Sequence, residues 1–310
     1  MITPLKDVQY HKNRAITVGT FDGVHIGHQA LLKHLIQAAN KKNCISTLVT
    51  FDPHPREVIG STKGPICLLS SLQERYTKLD ALGLDEMVVI PFTRSFSLKS
   101  STEFIEEVLV QTIGCHELWI GYDHHYGKDR EGGYPLAVEL GEKHHFEVSV
   151  FPELTQDEHE VSSTVIRKAI HDGDMTAVTK MLGQHYILQE TVIMGNQRGR
   201  TLGYPTLNFG LIERKKCLPK TGVYAVLCEV QGEANLVKGM ANLGVRPTFG
   251  ASTPNLEVHL FDYQGDLYGT VCRVHFVQRI RDEQSFDGPI ALVEQLKKDE
   301  IEARKTLENA

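Results

Sequence analysis

Hydrophobic residues in the first half of the chain form short continuous runs that alternate with stretches of helical spacing. The continuous runs predict buried β-strands at Ala15–Val18, Ile45–Phe51, Met87–Phe92, Glu117–Gly121 and Phe146–Phe151. Helical spacing predicts an amphipathic helix through Leu31, Leu32, Leu35, Ile36 and Ala39, and further helices at Leu72–Leu82 and Thr102–Ile113. Strands that alternate with helices indicate an α/β domain built on a parallel sheet.

The pattern changes near Gly183. Before it, Ser162–His171 and Met175–Leu182 predict two short helices that close the first domain. After it, short β-rich runs separated by Gly, Pro and Asn predict a small antiparallel β-barrel, with strands at Gln189–Met194, Tyr224–Val230, Leu236–Ala241, Leu256–Phe261 and Val271–Phe276. A charged amphipathic pattern from Pro289 to Leu307 predicts a closing helix on the barrel. We therefore expect two domains, residues 1–183 and 184–310.

Length and composition agree with two ordinary globular domains. The chain has 310 residues, of which 41% are hydrophobic and 23% are charged. The net charge of −6 gives no general attraction for nucleic acid or anionic membrane, so any phosphate must be bound by local groups. Residues 1–14 lack a signal-peptide core, and no apolar run approaches the length of a membrane span. We expect a cytoplasmic enzyme acting on small molecules, without nucleic-acid or membrane partners.

A glycine-rich turn joins the first predicted strand to the first predicted helix. This histidine turn runs Gly19-Thr20-Phe21-Asp22-Gly23-Val24-His25-Ile26-Gly27-His28. A helix start offers unpaired backbone N–H groups and the positive end of the helix dipole, and both favour an anion. Gly23 and Gly27 allow close approach to the backbone, while His25 and His28 add imidazole donors. The turn indicates a phosphate site, although a lone His-x-Gly-His is more often an ordinary turn.

A second candidate for phosphate binding is the helix start Ser162-Ser163-Thr164-Val165-Ile166-Arg167. Its hydroxyl and N–H groups can bind phosphate oxygens, and Arg167, one turn later, can make a bidentate hydrogen bond to the same phosphate. A capped helix with a surface arginine gives the same pattern.

The second domain has its own glycine-rich segment, from Gly195 to Asn208. No G-x-x-x-x-G-K-[ST] occurs in the chain, so a kinase here would not be a P-loop enzyme. Thr206 and Asn208 offer hard oxygen ligands suited to Mg²⁺, whereas the glycines alone also fit a plain turn before a strand. Glu257, in a predicted strand, is either an exposed carboxylate or a general base.

Together these motifs resemble those of the bifunctional bacterial riboflavin kinase/FAD synthetases. The histidine turn is similar to the G-x-F-D-G-x-H-x-G-H signature of HxGH nucleotidyltransferases, and Val161–Arg167 to I-S-S-T-x-I-R. Gly203–Asn208 is similar to the riboflavin kinase motif G-x-P-T-x-N. Further matches lie at Thr50–Pro55, Gly121–Lys128, Thr221–Tyr224, Ala241–Phe249, Glu257–Asp262 and Arg279–Gln284. In the second of these, His124 stands where the family commonly has Phe.

The resemblance implies a Rossmann-like first domain and two reactions that use ATP and Mg²⁺. The barrel would phosphorylate riboflavin to FMN, with Glu257 as base and Thr206 and Asn208 holding Mg²⁺. The first domain would join FMN to the adenylyl group of ATP, with His25 and His28 stabilising the triphosphate. The resemblance also gives nucleotide or phosphate contacts to Gly19, Phe21, Asp22, Gly23, Gly27, Asp123, Ser162, Ser163, Thr164, Arg167, Gly199, Arg200 and Gly203, and weaker flavin contacts to Asp52, His54 and Arg281.

Two alternatives stay open at this point. In one, only the kinase is active and the first domain, altered near His124, adenylylates another phosphate or nothing. In the other, the chain is a non-catalytic flavin-binding regulator. A binder needs no base to activate an alcohol, so His28, Arg167, Thr206, Asn208 and Glu257 argue against it.

Overall fold

A parallel β-sheet organises the first of two units, Met1–Ser163. The computed structural model describes residues 1–60, 64–121, 133–151, 161–195, 199, 202–210, 215–248 and 251–309, with backbone alone at 246–248, 251–253 and 309. Six strands of these residues form the sheet: β1 Ile2–Pro4, β2 Arg14–Val18, β3 Ile45–Asp52, β4 Glu86–Pro91, β5 Glu117–Ile120 and β6 Glu147–Val150. Their order is β1-β4-β3-β2-β5-β6, and each neighbouring pair is parallel, as the hydrophobic runs predict.

Helices cover both faces of this sheet. They are α1 Ile26–Lys42, α2 Pro55–Ile59, α3 Leu72–Ala81, α4 Ser101–Glu103, which continues as a π-helix over Phe104–Ile113, and α5 Tyr134–His144. The predicted stripe of α1 is buried through Leu32, Leu35 and Ile36, which pack with Leu48 of β3. The π-helix packs Ile105 and Leu109 into a separate core. The sheet is thereby enclosed on both sides, which is why its strands read as continuous apolar runs.

The second unit, Thr164–Ala310, contains a closed antiparallel barrel. Its strands among the described residues are β7 Tyr186–Ile193, β8 Leu207–Phe209, β9 Gly222–Glu229, β10 Val237–Thr248, β11 Ala251–Leu260 and β12 Val271–Arg281, in the order β10-β11-β8-β7-β12-β9. Helix α8, Pro289–Thr306, closes the barrel, as predicted. Ala303 and the following Leu307 pack with Leu227 and Met240 in one apolar cluster.

Two helices, α6 Ser163–Asp172 and α7 Met175–Leu182, precede the barrel. By contacts the units divide between Ser163 and Thr164, after the first residue of α6, and α7 packs on β7 and β12. The sequence pattern places the boundary after them, at 183/184, and that division stays a prediction. Of the helices in the described ranges, none is long and apolar enough to cross a lipid bilayer.

Candidate active sites

The histidine turn leaves the carboxyl end of β2, which lies between β3 and β5 in the sheet. Its backbone has positive φ at Phe21 (44°), Gly23 (83°) and Val24 (44°). Glycine adopts this conformation without penalty, whereas the two other residues are held there at a cost of about 1–2 kcal/mol each. Such strain marks a segment whose shape is imposed by its surroundings, and it is common at binding sites.

The two histidine rings of the turn lie against each other at the start of α1. His25 caps the helix by accepting the backbone N–H of His28 on Nδ1 at 3.3 Å. The rings stack with centroids 3.6 Å apart, and Phe21 lies 4.6 Å from the His28 ring. Because Nδ1 of His25 is an acceptor, the proton of the neutral ring sits on Nε2, which is then a donor. Nδ1 of His28 is buried and has no hydrogen-bond partner in the described structure.

Burial makes both rings neutral at pH 7. It lowers the pKa of His25 to about 4; Asp22 raises that pKa, and Lys78 lowers it further. The pKa of His28 lies well below its ordinary value, first because of burial and then because of His25 and Lys78. At pH 7 the rings therefore act as N–H donors and not as cations.

The low pKa of His25 predicts that acid destabilises the first unit. Between its unfolded pKa of 6.5 and its folded pKa of about 4, the unfolded state binds more protons, so stability falls as the pH falls. Going from pH 7 to pH 5 should cost about 2 kcal/mol through this group. Urea unfolding can be followed by the fluorescence of Trp119 on β5, the only tryptophan in the sequence. His25→Gln should lose this part of the pH dependence, and identical pH dependence in both proteins would contradict the assignment.

The buried carboxylate of Asp22 holds the histidine turn in place through hydrogen bonds. The residue is 2% exposed, and its carboxylate accepts the backbone N–H groups of Leu69 and Ser70 at 3.0–3.1 Å and the Ser70 hydroxyl at 3.2 Å. The Ser70 hydroxyl also accepts the N–H of Gly23 at 2.8 Å, and Ser163 donates its hydroxyl to the carbonyl of Asp22 at 3.1 Å. The carboxylate is thus engaged by protein groups, and it shapes the turn that would meet a phosphate.

Helix α3 holds the same turn with two cations. Arg75, 3% exposed, donates to the carbonyl of Thr20 at 2.7 Å and to the Thr50 hydroxyl at 3.3 Å. Lys78 donates to the carbonyl of Gly23 at 2.9 Å. These contacts fix the backbone on either side of Phe21 and Asp22, and so maintain the strained conformation.

The other site residues predicted for the first domain, residues 1–183, lie as follows. Gly19 directly follows β2, and a Cβ there would stand 2.8 Å from the Phe21 ring. Gly27 is buried in the first turn of α1. The adjacent strand β3 ends at exposed Asp52, and His54 caps α2 by accepting the N–H of Arg56 on Nδ1 at 3.1 Å.

Ser162 precedes α6, on which Thr164 is exposed and Arg167 half-buried. Asp123, His124 and Arg200 lie outside the described residues.

The second unit contains a cavity of about 380 Å³, here called the barrel cavity. Gly199, Thr206, Glu257 and Arg281 line it, so four predicted site residues meet there. The strand register explains part of this: Glu257 of β11 stands opposite Asn208 of β8 on one side and Asn242 of β10 on the other. Directly opposed residues share a face of the sheet, so the predicted base and a predicted Mg²⁺ ligand are neighbours.

Three glycines come shortly before β8 in the chain, and two of them allow other groups of the protein to approach the backbone closely. A Cβ on Gly199 would lie 2.2 Å from the carbonyl oxygen of Tyr204, and Gly203 has a φ of +81°. A Cβ on Gly195 would lie 2.2 Å from the side-chain amide of Asn208. The glycines at 195 and 199 are therefore required by packing, and the one at 203 by its backbone conformation.

Two residues that line the barrel cavity, and one that binds a lining residue, were not predicted from the sequence. His259, two residues after Glu257 and hence on the same face of β11, hydrogen-bonds the carbonyl of Pro205 through Nδ1 at 2.8 Å. Asn242 also lines the cavity, while Asp299 binds Arg281. Strand alternation from Glu257 could have found His259, whereas the other two need the barrel register and the packing of α8.

Comparisons with known proteins match a different family model to each of the two parts of the chain. A family model described as FAD synthetase matches residues 7–165, and one described as riboflavin kinase matches residues 182–307. A bifunctional riboflavin kinase/FMN adenylyltransferase of Listeria monocytogenes is 36% identical over 293 residues, covering 94% of this chain and 92% of the relative. The chain belongs to the bifunctional riboflavin kinase/FMN adenylyltransferase family.

Further relatives support the family assignment over nearly the whole length. The Bacillus subtilis member is 35% identical over 298 residues, covering 95% of this chain and 92% of the relative. A crystal structure described as a macrolide-efflux protein from Streptococcus pneumoniae is 32% identical, with a TM-score of 0.86 and 98% of both chains covered. The enzyme class predicted from the motifs, a bifunctional riboflavin kinase and FMN adenylyltransferase, is confirmed. Neither alternative, a kinase alone or a non-catalytic regulator, gains support.

Proposed function

We propose that the two sites perform successive transfers from ATP, with riboflavin, FMN and ATP as substrates. In the barrel cavity, the riboflavin 5′-hydroxyl attacks the γ-phosphorus of ATP, which gives FMN and ADP. At the histidine turn, the FMN phosphate attacks the α-phosphorus of a second ATP, which gives FAD and pyrophosphate. The observation that carries the proposal is the presence of Glu257 and Thr206 in one cavity, with Asn208 directly opposite Glu257 in the strand register.

The first transfer needs a base because a neutral alcohol is a poor nucleophile. Glu257 lies in the cavity wall, and Asn255 donates its side-chain amide to Oε1 of Glu257 at 2.9 Å, which orients the carboxylate. In our proposal this carboxylate takes the hydroxyl proton as the oxygen–phosphorus bond forms. In our proposal the glycines at 199 and 203 let the chain fold over the ATP phosphates.

The donor set of the barrel fits Mg²⁺. The Thr206 hydroxyl and the Asn208 amide oxygen are hard ligands, and a glycine at 195 keeps the space beside that amide that a Cβ would fill. We propose that these two residues hold the metal with the ATP phosphates. When bound, Mg²⁺ would neutralise charge on the transferring phosphoryl group.

The second transfer needs no base, since the FMN phosphate is largely ionised at neutral pH. Its barrier is lowered by positioning and by donors at the α-phosphate. The neutral rings of His25 and His28 and the N–H groups at the start of α1 supply such donors in our proposal. Ser163, already hydrogen-bonded to the turn at Asp22, would extend the phosphate contacts.

Isotope labelling tests both transfers in one experiment. The chain is incubated with riboflavin, Mg²⁺ and ATP labelled at either the γ- or the α-phosphate, and the flavins are separated. The γ-label should enter FMN and then FAD, whereas the α-label should enter FAD but not FMN. Absence of the γ-label from all flavins would refute the kinase assignment, and absence of the α-label from FAD would refute the adenylyltransferase assignment.

A further inference from the structure

A buried ion pair joins the closing helix to the wall of the barrel cavity. Arg281, the last residue of β12, lines the cavity, and Asp299 of α8 binds it in a bidentate fork. Nε of Arg281 lies 2.8 Å from Oδ1 of Asp299, and Nη2 lies 2.6 Å from Oδ2. The Asp299 side chain is 1% exposed, and Gln295, one turn earlier on α8, donates to the same carboxylate at 2.8 Å.

The Arg281 guanidinium is held on two further sides. Nη1 donates to the carbonyl of Asp282 at 2.8 Å, and the guanidinium carbon lies 5.9 Å from the centre of the Phe286 ring, which also lines the cavity. A long arginine side chain has many rotamers in solution, so these contacts select one orientation of the planar group.

The charge of the pair indicates what Arg281 can bind. Its cation is already neutralised by Asp299 through a bidentate contact, so it offers little net positive charge to a phosphate. What it presents to the cavity is a flat, delocalised surface, which suits stacking on a planar aromatic ring. We therefore expect the phosphates to be bound by the glycine-rich segment that runs from Gly195 to Asn208, and not by Arg281.

We propose that Asp299 is a positioning residue of the riboflavin kinase site: it holds the Arg281 guanidinium in the plane that contacts the flavin ring. This inference rests on the function proposed above for the barrel cavity. It assigns to helix α8 a part in flavin affinity, in addition to its packing on the barrel through Ala303.

The test separates flavin affinity from turnover. Steady-state FMN formation is measured for the parent, Asp299→Asn and Arg281→Lys, with Glu302→Gln as a control that makes the same carboxylate-to-amide change at an exposed position of α8. Asp299→Asn and Arg281→Lys should raise the KM for riboflavin by about tenfold, because the planar group loses its fixed orientation in the first variant and is absent from the second. The kcat of Asp299→Asn should stay within about twofold of the parent, and the KM for ATP should not change.

Each outcome bears on the proposal. An unchanged riboflavin KM in Asp299→Asn, or a fall in its kcat alone, overturns the positioning role, since a merely destabilised protein loses active molecules and keeps its KM. Should Asp299→Asn fail to fold, Asp299→Glu decides, because it retains both the charge and the Arg281 guanidinium but displaces the carboxylate by one methylene and so loses the bidentate contact. An unchanged riboflavin KM in that variant overturns the proposal. A parent protein that makes no FMN would refute the proposed function itself, and that result is distinguishable from a failure of Asp299 alone.

Discussion

Glu257→Gln is expected to lower FMN formation from riboflavin by about a hundredfold or more. The substitution keeps the size of the side chain and its ability to accept the Asn255 amide, but it removes the basic oxygen. Glu257 lines the barrel cavity opposite Asn208. Because glutamine has the same shape as glutamate, we expect the neighbouring residues of the cavity to keep their positions. The rate of FMN formation at saturating riboflavin and ATP is the measurement.

Two comparisons make this result specific. FAD formation from supplied FMN should persist in Glu257→Gln, because a phosphate nucleophile needs no base. Glu294→Gln, at an exposed position of α8, should leave both rates at the parent value. Parent-level FMN formation by Glu257→Gln would remove the base assignment.

The second large effect is expected from His28→Ala, which should lower FAD formation from FMN by about a hundredfold or more. His28 stacks on His25 at the start of α1, and loss of a preorganised donor to a reacting phosphate has effects of this size. FMN formation from riboflavin should continue, since the proposed base, the predicted metal ligands and the glycine-rich segment of the kinase site all lie in the second unit. FAD and pyrophosphate are measured after FMN and ATP are supplied.

A matched control comes from the same helix. His34→Ala removes an exposed imidazole from α1 and should leave FAD formation unchanged. Full adenylyltransferase activity in His28→Ala would show that the histidine turn does not bind the triphosphate.

The sequence predicted the sheet and the barrel because burial on both faces produces continuous apolar runs and barrel strands are punctuated by turn residues. Short elements were missed: β1 and β8 have three residues each, too few for any periodicity. Strand β10 runs to Thr248, past the predicted end at Ala241, although Gly244 and Pro247 lie within this extension. There, pairing with β11 overrides the local preference of those residues.

Candidate chemistry was predictable where it depends on local spacing and not where it depends on packing. His25 is the N-cap of α1 and His28 lies in its first turn at i+3, so local helix geometry alone brings the two rings together. The motif predicts a nucleotide or phosphate contact for Asp22. Its hydrogen bonds with Leu69 and Ser70 could not be predicted, since these residues lie 47 and 48 positions away in the chain. Asp299 sits among charged residues of α8 and reads as part of a solvated face, until the fold buries it against Arg281.

The central claim is that two independent sites on this chain act in succession, and one crossed experiment tests it most directly. Glu257→Gln and His28→Ala are each fed riboflavin or FMN with ATP and Mg²⁺, and the flavin products are separated. We expect Glu257→Gln to convert FMN to FAD while it leaves riboflavin unchanged, and His28→Ala to convert riboflavin to FMN and stop there. An equal mixture of the two variants should restore FAD formation from riboflavin. Loss of both activities in either folded variant, or a mixture that makes no FAD, would contradict the account.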